Sequence, residues 1–389
     1  MTSVEALLLL VGSEVCERKI DGQLFANSSE DFFREIYALS KKHDLGHLVG
    51  SALSKLGLPL SNEILAPFRT EHFNAVFKYR RYGDELSQIS ALFESEGLFH
   101  IPLKGSVLRD YYPEGWMRTS CDLDILVKPY ELERAKNLLI DVLGYSFVAK
   151  TSHDISFDSP TGVHLELHFA LVEDYILSAS HNILESVWER THTAEGKKYT
   201  LLMTDEMFYF YHIVHMAKHI VSGGCGIRPL LDHWILENRV KFDSGKRAAL
   251  ISEGGFSEFE AGIRELCAVW FEGREHTDFT RSLENYILSG GAYGTVENGV
   301  VIGVVKRKGR LGYVLVRIFP PYHVMKNMYP TLEKRKWLIP FYHVRRWLRI
   351  IFKGRAKHAK VQFEKSKNIT DEEYGNAEKL LTSLGLLEK

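Results

Sequence analysis

Cysteine is scarce in this 389-residue sequence: Cys16, Cys121, Cys225 and Cys267 are scattered, with no Cys-x-x-Cys pair. A disulfide framework and a cysteine-based zinc knuckle are thereby excluded, and a reduced, cytoplasmic protein is the expectation. An excess of one charge sign is missing too, because 49 Lys and Arg meet 50 Asp and Glu. The molecule as a whole is therefore not built as a polyanion binder, and any such contact has to be local. No apolar run reaches the roughly 18 to 20 residues that span a bilayer, so no transmembrane segment is expected. The run Ala6 to Val11 is short, lacks a basic stretch before it and leads into Gly12, Ser13 and Glu14 rather than a cleavage site, which argues against secretion. Repeats and low-complexity linkers are absent as well.

What is present is a 45% hydrophobic chain, long enough for a sizeable core and two or three packed sub-domains. Residues 28–96 read as helical, with Ser29 and Asp31 placed to cap a helix through Phe32, Ile36 and Leu39, and a second long helix over Asn62 to Phe93. Leu98 to Leu103 reads as a strand entering the turn Lys104-Gly105-Ser106, followed by a helix over Val107 to Tyr111. Strands are expected at Asp122 to Val127 and Val163 to Phe169, with a helix near Tyr130 to Leu143 and a hairpin around Phe147 to Phe157 between them. Helices return at Asp205 to Val221 and Pro229 to Leu236. Beyond Gly290, glycine-rich turns alternate with apolar runs at Val300 to Val305 and Tyr313 to Phe319, and the pattern names no element.

Asp122-Leu123-Asp124-Ile125-Leu126-Val127 starts by alternating and then becomes wholly apolar, as a strand does when one end emerges from a core into a cleft. Residues i and i+2 face the same way about 6.6 Å apart, so two carboxylates can converge on metal ions spaced about 3.5–4 Å. Two such charges about 5 Å apart repel by roughly 3 kcal/mol at an effective dielectric near 20, and divalent cations remove that penalty. Asp-x-Asp alone is a weak signal, common at solvated strand ends. The second strand strengthens it: Val163, Leu165, Leu167 and Phe169 share one face, while His164, Glu166 and His168 share the other. Glu166 is the candidate third carboxylate, as metal ligand or as base toward a hydroxyl. The Gly105-Ser106 turn, between strand and helix, is a candidate phosphate site, with Lys104 and Arg118 as its basic neighbours.

Together these pieces resemble the nucleotidyltransferase superfamily typified by DNA polymerase β. Leu103-Lys104-Gly105, Arg118, Asp122 to Val127, Gly144-Tyr145, Leu165-Glu166-Leu167-His168, Lys218-His219, Gly226 to Asp232 and Trp337 to Pro340 are similar, more closely, to a group of largely uncharacterised bacterial nucleotidyltransferases. The resemblance implies an α+β fold with a short mixed sheet and flanking helices, and a two-metal mechanism using Mg²⁺ or Mn²⁺. It assigns Asp122, Asp124 and Glu166 as catalytic and metal residues and Gly105 and Ser106 as nucleotide-binding residues. Lys104 and Arg118 beside that turn are further nucleotide-binding candidates, Lys218 or Arg228 is placed to be the basic residue that a helical domain opposite the carboxylates commonly offers the phosphates, and Asp232 is expected to orient Arg228. One departure is the gap from Ser106 to Asp122, longer than most of the superfamily shows, which an extra turn at Tyr112 to Gly115 would absorb. The expected organisation is a helical region 1–95, a nucleotidyltransferase core 96–200, a helical part 201–290 completing the cleft, and a basic aromatic region 291–389.

The expected reaction moves an NMP group from an NTP to a hydroxyl acceptor, with pyrophosphate released; a small molecule, a sugar, a protein or RNA all qualify as acceptor. Competing readings are a nucleotide-sugar-dependent glycosyltransferase, which also uses Asp-x-Asp but usually opens on a βαβ unit, and a non-catalytic nucleotide or partner-binding module. His212, His215 and His219 fall on one helix face and are expected to line a cleft wall rather than hold a metal. Residues 306–360 hold 16 Lys and Arg against the single acidic Glu333, interleaved with aromatics. That stretch is a candidate for contact with RNA or an anionic membrane surface, with a basic amphipathic helix over Trp337 to Phe352.

Overall fold

In this computed structural model the described residues are 1–171, 178–352 and 356–387. Helix α1 (Ser3–Val15) begins on a reciprocal cap between Thr2 and Glu5. It turns the early apolar run into a core helix, with Ala6, Leu7, Leu10 and Val11 fully buried. Helix α2 (Glu30–Lys42) is capped as expected: the Ser29 hydroxyl accepts from the Phe32 N–H, acidic Glu30 and Asp31 stand in the first turn, and Lys41 and Lys42 in the last. The chain then breaks at Asp44, whose φ is +56°, before α3 (Gly46–Leu56). Helix α4 (Asn62–Ser95) runs for 34 residues, about 51 Å at 1.5 Å per residue, and carries the chain from the N-terminal helices to the sheet.

The sheet gathers β1 (His100–Pro102), β2 (Leu123–Val127), β3 (Ser146–Lys150), β4 (Asp154–Asp158) and β5 (His164–His168) in the order β1-β2-β5-β4-β3. Only β2 and β5 run parallel, so the sheet is mixed and the fold is α+β. Between β1 and β2 lie the one-turn helix α5 (Gly105–Leu108) and two 3-10 turns, Arg109–Tyr111 and Gly115–Met117, which take up the long Ser106 to Asp122 gap. Helix α6 (Leu132–Asp141) and the β3–β4 hairpin supply the crossover that a parallel β2–β5 pair requires. Strand β2 is buried at every residue. Leu123, Ile125 and Val127 pack with Leu165 and Leu167 of β5, Ile89 and Phe93 of α4, and Ala135 and Leu139 of α6. Strand β3 is exposed throughout, as the edge.

The chain continues through α7 (Ser178–Glu185), the small hairpin β6 (Thr191–Thr193) and β7 (Leu201–Met203), α8 (Asp205–Ser222) and α9 (Arg228–Arg239). Helices α10 (Ser244–Glu253), α11 (Ser257–Glu272) and α12 (Asp278–Gly290) follow. The second hydrophobic core joins α1 through Leu7 and Val11 to α8 through Ile213 and Val214, α9 through Leu231, and α11 through Phe259 and Ile263. Between α8 and α9, Gly223 has φ +134°, and a Cβ there would stand 2.6 Å from the Thr295 carbonyl oxygen, so glycine alone fits.

The region whose pattern named no element is helical. Val300 to Val305 lies in α13 (Val296–Lys306), and Tyr313 to Phe319 overlaps α14 (Arg310–Ile318). Helices α15 (Tyr322–Met328), α16 (Thr331–Lys334), α17 (Ile339–Phe352), α18 (Ala356–Asn368) and α19 (Asp371–Ser383) complete the chain. Helix α17 matches the expected amphipathic segment, while residues 353–355 of the basic stretch lie outside the described residues.

Candidate functional site

A cleft of about 350 Å³ opens where the ends of β2, β4 and β5 face α8 and α9. Strand pairing builds its acidic wall. Asp124 and Glu166 are register partners on β2 and β5, so their side chains emerge side by side from the same face. Asp122 sits in the bend just before β2 and lines the same wall.

Lys104 reaches into this group from the turn after β1. Its ammonium donates to Asp124 Oδ1 at 2.6 Å and lies 4.0 Å from Glu166 Oε2. Burial works against its charge, but Asp124, Tyr211 and Asp122 together outweigh burial and raise the Lys104 pKa above its ordinary value. Its backbone φ of +47° is uncommon for a lysine and costs on the order of 1–3 kcal/mol, held in place by the close approach behind it. A Cβ on the adjoining Gly105 would lie 2.0 Å from Ser120 Oγ. The turn offers a phosphate less than the sequence led us to expect. Helix α5 is a single turn, the Ser106 N–H already donates to the Leu103 carbonyl, and Val107 and Leu108 donate to the Lys104 carbonyl. Gly105 lines the cleft; Ser106, with a buried hydroxyl, does not, among the described residues.

Asp124 is the most heavily held of the three carboxylates. The same Oδ1 also accepts from His168 Nε2 at 2.8 Å. Burial alone would raise the Asp124 carboxyl, but Lys104 and His168 hold it well below the ordinary carboxylate range. Glu166 is also kept below its usual value, chiefly by His168 Nε2 at 3.4 Å from Oε2. Asp122 goes the other way: burial, then the charge of Asp124, pushes it up to about 6. A cluster that distorts one carboxyl upward while holding its neighbours ionised is short of positive charge. Asp124, Glu166 and His168 place one polar atom each within 4.8 Å of the others, and the three carboxylates of this wall, Asp122, Asp124 and Glu166, fit divalent cations.

The opposite wall is basic and imidazole-rich. Arg118 Nε donates to Asp232 Oδ1 at 2.6 Å, and Asp232, 1% exposed, also accepts from the Tyr112 hydroxyl at 2.7 Å. Arg228 pairs instead with Asp44 from the break between α2 and α3. The expectation that Asp232 orients Arg228 is therefore corrected: Asp232 orients Arg118, and the Arg228 partner comes from 184 residues away in sequence. Lys218 lines the cleft from α8, as do His212, His215 and His219. His212 Nε2 lies 3.1 Å from the Pro229 carbonyl oxygen, and His215 Nε2 lies 3.0 Å from His219 Nε2. Burial, then nearby Lys104, depresses both members of that pair, His219 to about 4. They are neutral donors and acceptors lining a wall, not cationic phosphate ligands.

The structure thus brings Lys104, Gly105, Arg118, Asp122, Asp124, Glu166, Lys218 and Arg228 to one cleft. Sequence reasoning missed Asp44, Tyr112, His153, Asp154 and Tyr211. The first two act across long sequence separations, and His153 and Asp154 reach the site through the β4–β5 pairing, which no local pattern displays. No curated protein and no solved structure matches the chain; the model of a family described as uncharacterised nucleotidyltransferase matches residues 29–272.

Proposed function

Because the chain belongs to this family of uncharacterised nucleotidyltransferases, we propose that it transfers an NMP group from an NTP to a hydroxyl acceptor, releasing pyrophosphate, on a polymerase-β-like core. The observation that carries the reading is the convergence of Asp122, Asp124 and Glu166 with Arg118, Lys218 and Arg228 in one cleft. In this reading residues 96–200 are the core and 201–290 the helical half that closes the cleft.

Asp122, Asp124 and Glu166 would hold Mg²⁺, or Mn²⁺, whose chemistry is to neutralise the phosphates and the charge that develops on them. The chain's own groups do the rest. Lys218 and Arg228 bind the phosphates, and Arg118 is kept rigid by Asp232 so that it meets them without reorganising. Glu166, ionised and partly open to solvent, accepts the proton of the acceptor hydroxyl as its oxygen bonds to the α-phosphorus and the bond to the departing pyrophosphate breaks. Positioning and electrostatics supply most of the acceleration. The test is titration of each NTP with Mg²⁺, followed by assay of pyrophosphate release over an acceptor panel. Metal-dependent binding that vanishes in the Asp122→Ala, Asp124→Ala double variant supports the reading. Sugar transfer without pyrophosphate moves the protein to the glycosyltransferase class, and binding without turnover on any acceptor moves it to the non-catalytic one.

A second contact is supported by residues 306–360. Helix α14 exposes Leu311, Leu315 and Ile318 at i, i+4 and i+7, and α17 exposes Phe341, Val344 and Leu348 at i, i+3 and i+7, with Trp337 75% exposed beside them. Exposed Lys334, Arg335, Lys336, Arg345 and Arg349 accompany these stripes. Five of these seven exposed apolar side chains are aliphatic, which enter an acyl boundary and have no ring to stack on a base, so the inferred partner is an anionic bilayer surface. Sedimentation with vesicles rich in anionic lipid, against neutral vesicles and single-stranded RNA, is the check; RNA binding in place of vesicle binding overturns it. No helix among the described residues is long and apolar enough to cross a membrane.

A further inference from the structure

We propose that His153, Asp154 and His168 form a second cation site beside the carboxylates, one that takes a first-row transition ion such as Zn²⁺ or Mn²⁺ in preference to Mg²⁺. The inference stands on its own geometry and does not depend on nucleotidyl transfer. Asp154 and His168 are register partners on β4 and β5. His153 directly precedes β4, where its carbonyl accepts from the Phe169 and Ala170 N–H groups and pins that end of the hairpin. One donor atom from each of the three residues lies within 4.8 Å of the others. His153 Nε2 is 3.1 Å from Asp154 Oδ2, and the two imidazole centres are 5.8 Å apart.

The hydrogen-bond inventory shows what the cluster needs. An ionised carboxylate only accepts, so the 2.8 Å contact between His168 Nε2 and Asp124 Oδ1 puts a proton on Nε2. In the neutral imidazole Nδ1 is then a bare lone pair, and this atom is buried without a hydrogen-bond partner. Asp154 Oδ1 is in the same condition. His168 is 2% exposed and Asp154 4%, so both acceptors are shut off from bulk water. Two buried acceptors without a donor are costly, and a shared cation satisfies both.

The chemistry of the donors selects the ion. Two imidazole nitrogens and one carboxylate oxygen suit Zn²⁺, Mn²⁺, Co²⁺ or Fe²⁺, whereas Mg²⁺ favours oxygen ligands and gives up its waters reluctantly. A metal-bound imidazole usually donates its other nitrogen to a carboxylate, which fixes the tautomer, and Asp124 is in that place. With three protein ligands on the cleft wall, a further coordination position faces the cavity, as in catalytic rather than structural zinc sites.

Two fillers compete for the orphaned pair, a metal ion or a proton on Nδ1, and they are separated by experiment. Full-length protein stripped with chelator is titrated calorimetrically with Zn²⁺ in excess Mg²⁺, which loads the carboxylates. The wild type and His164→Ala should each bind one ion with affinities within about 3-fold of each other, since His164 pairs with Asp158 at the far end of β5 and is not a ligand here. His153→Ala and His153→Gln should lose about 100-fold or more, as removal of a ligand costs at least as much as removal of its outer partner. Circular dichroism and the melting temperature of the Gln variant guard against a fold defect. Absence of Zn²⁺ binding in the wild type, binding indifferent to both His153 variants, or binding lost in His164→Ala each overturns the proposal.

Discussion

The cleft and the basic C-terminal surface use the same cationic residues to opposite ends. In the cleft, Lys104, Arg118 and Arg228 each face a carboxylate supplied by another element, Asp124, Asp232 and Asp44. Residues 306–360 hold 16 Lys and Arg against the single acidic Glu333 in sequence. Arg310 and Arg346 there donate to backbone carbonyls, of Lys367 and Ile369 in one case and of Arg317 and Ile318 in the other. In a low-dielectric cleft an unpaired cation is too expensive to keep; at the surface it costs little and leaves charge available for a partner. Charge in the first region shapes a site, and in the second it advertises one.

The sharpest way to break that comparison is to remove one charge from the cleft. Asp124→Asn should abolish Mg²⁺-dependent NTP binding and lower stability by about 3–5 kcal/mol, because it strands Lys104 and His168; chemical denaturation beside calorimetry measures both. Next in size is the separation of Arg118 from its anchor. Asp232→Asn should cost about 2–4 kcal/mol in stability, and a double-mutant cycle with Arg118→Met should return most of it as pair interaction.

Asp122→Asn should do the reverse to stability: lose Mg²⁺ binding while stabilising the metal-free protein by on the order of 1–2 kcal/mol at pH 8, read by chemical denaturation. The sign follows from its carboxyl, which is pushed up from 3.8 to about 6. A folded value above the unfolded one means that the stability contributed by Asp122 is full below pH 3.8 and is lost as pH rises through 6. Mg²⁺ binding to the wild type should accordingly release a proton near pH 5.5 and almost none at pH 8, read by titration in buffers of different ionisation enthalpy. The smallest effect on folding belongs to the surface. Arg335→Glu, Arg345→Glu and Arg349→Glu together should leave stability within about 1 kcal/mol of the wild type, yet weaken binding to anionic vesicles by about 1 kcal/mol or more for each charge reversed.

The parts of this architecture that local chemistry controls were legible in advance. Ser29 with Glu30 and Asp31 announces α2, the alternation of Val163 to Phe169 announces β5, and Asp-x-Asp before an apolar run announces β2. The partnership of Asp124 with Glu166 could be read as chemistry but not as register, because a crossover of nearly forty residues separates the strands. Arg228 with Asp44, and Asp154 with His168, escaped for the same reason: tertiary packing makes the pair, and neither member carries a local signal. The β-branched run Val300 to Val305 favours a strand by propensity, but packing overrides it, and α13 buries Val300, Val301, Ile302, Val304 and Val305.

Helix α4 has a consequence for dissecting the molecule. Along its length Tyr79 packs beneath Gly115, the Tyr82 hydroxyl donates to the Cys121 carbonyl, and Glu85 accepts from Tyr145 and Thr161. Just before it, His47 of α3 meets the Met117 carbonyl and Asp44 supplies the counter-charge of Arg228. A fragment cut to begin at the first strand would keep Asp122, Asp124 and Glu166 but lose Asp44 and the scaffold that shapes the loop between Ser106 and Asp122. The smallest autonomous unit of this protein therefore starts upstream of its chemistry, and the helices that look like a preface are the mould in which the site is cast.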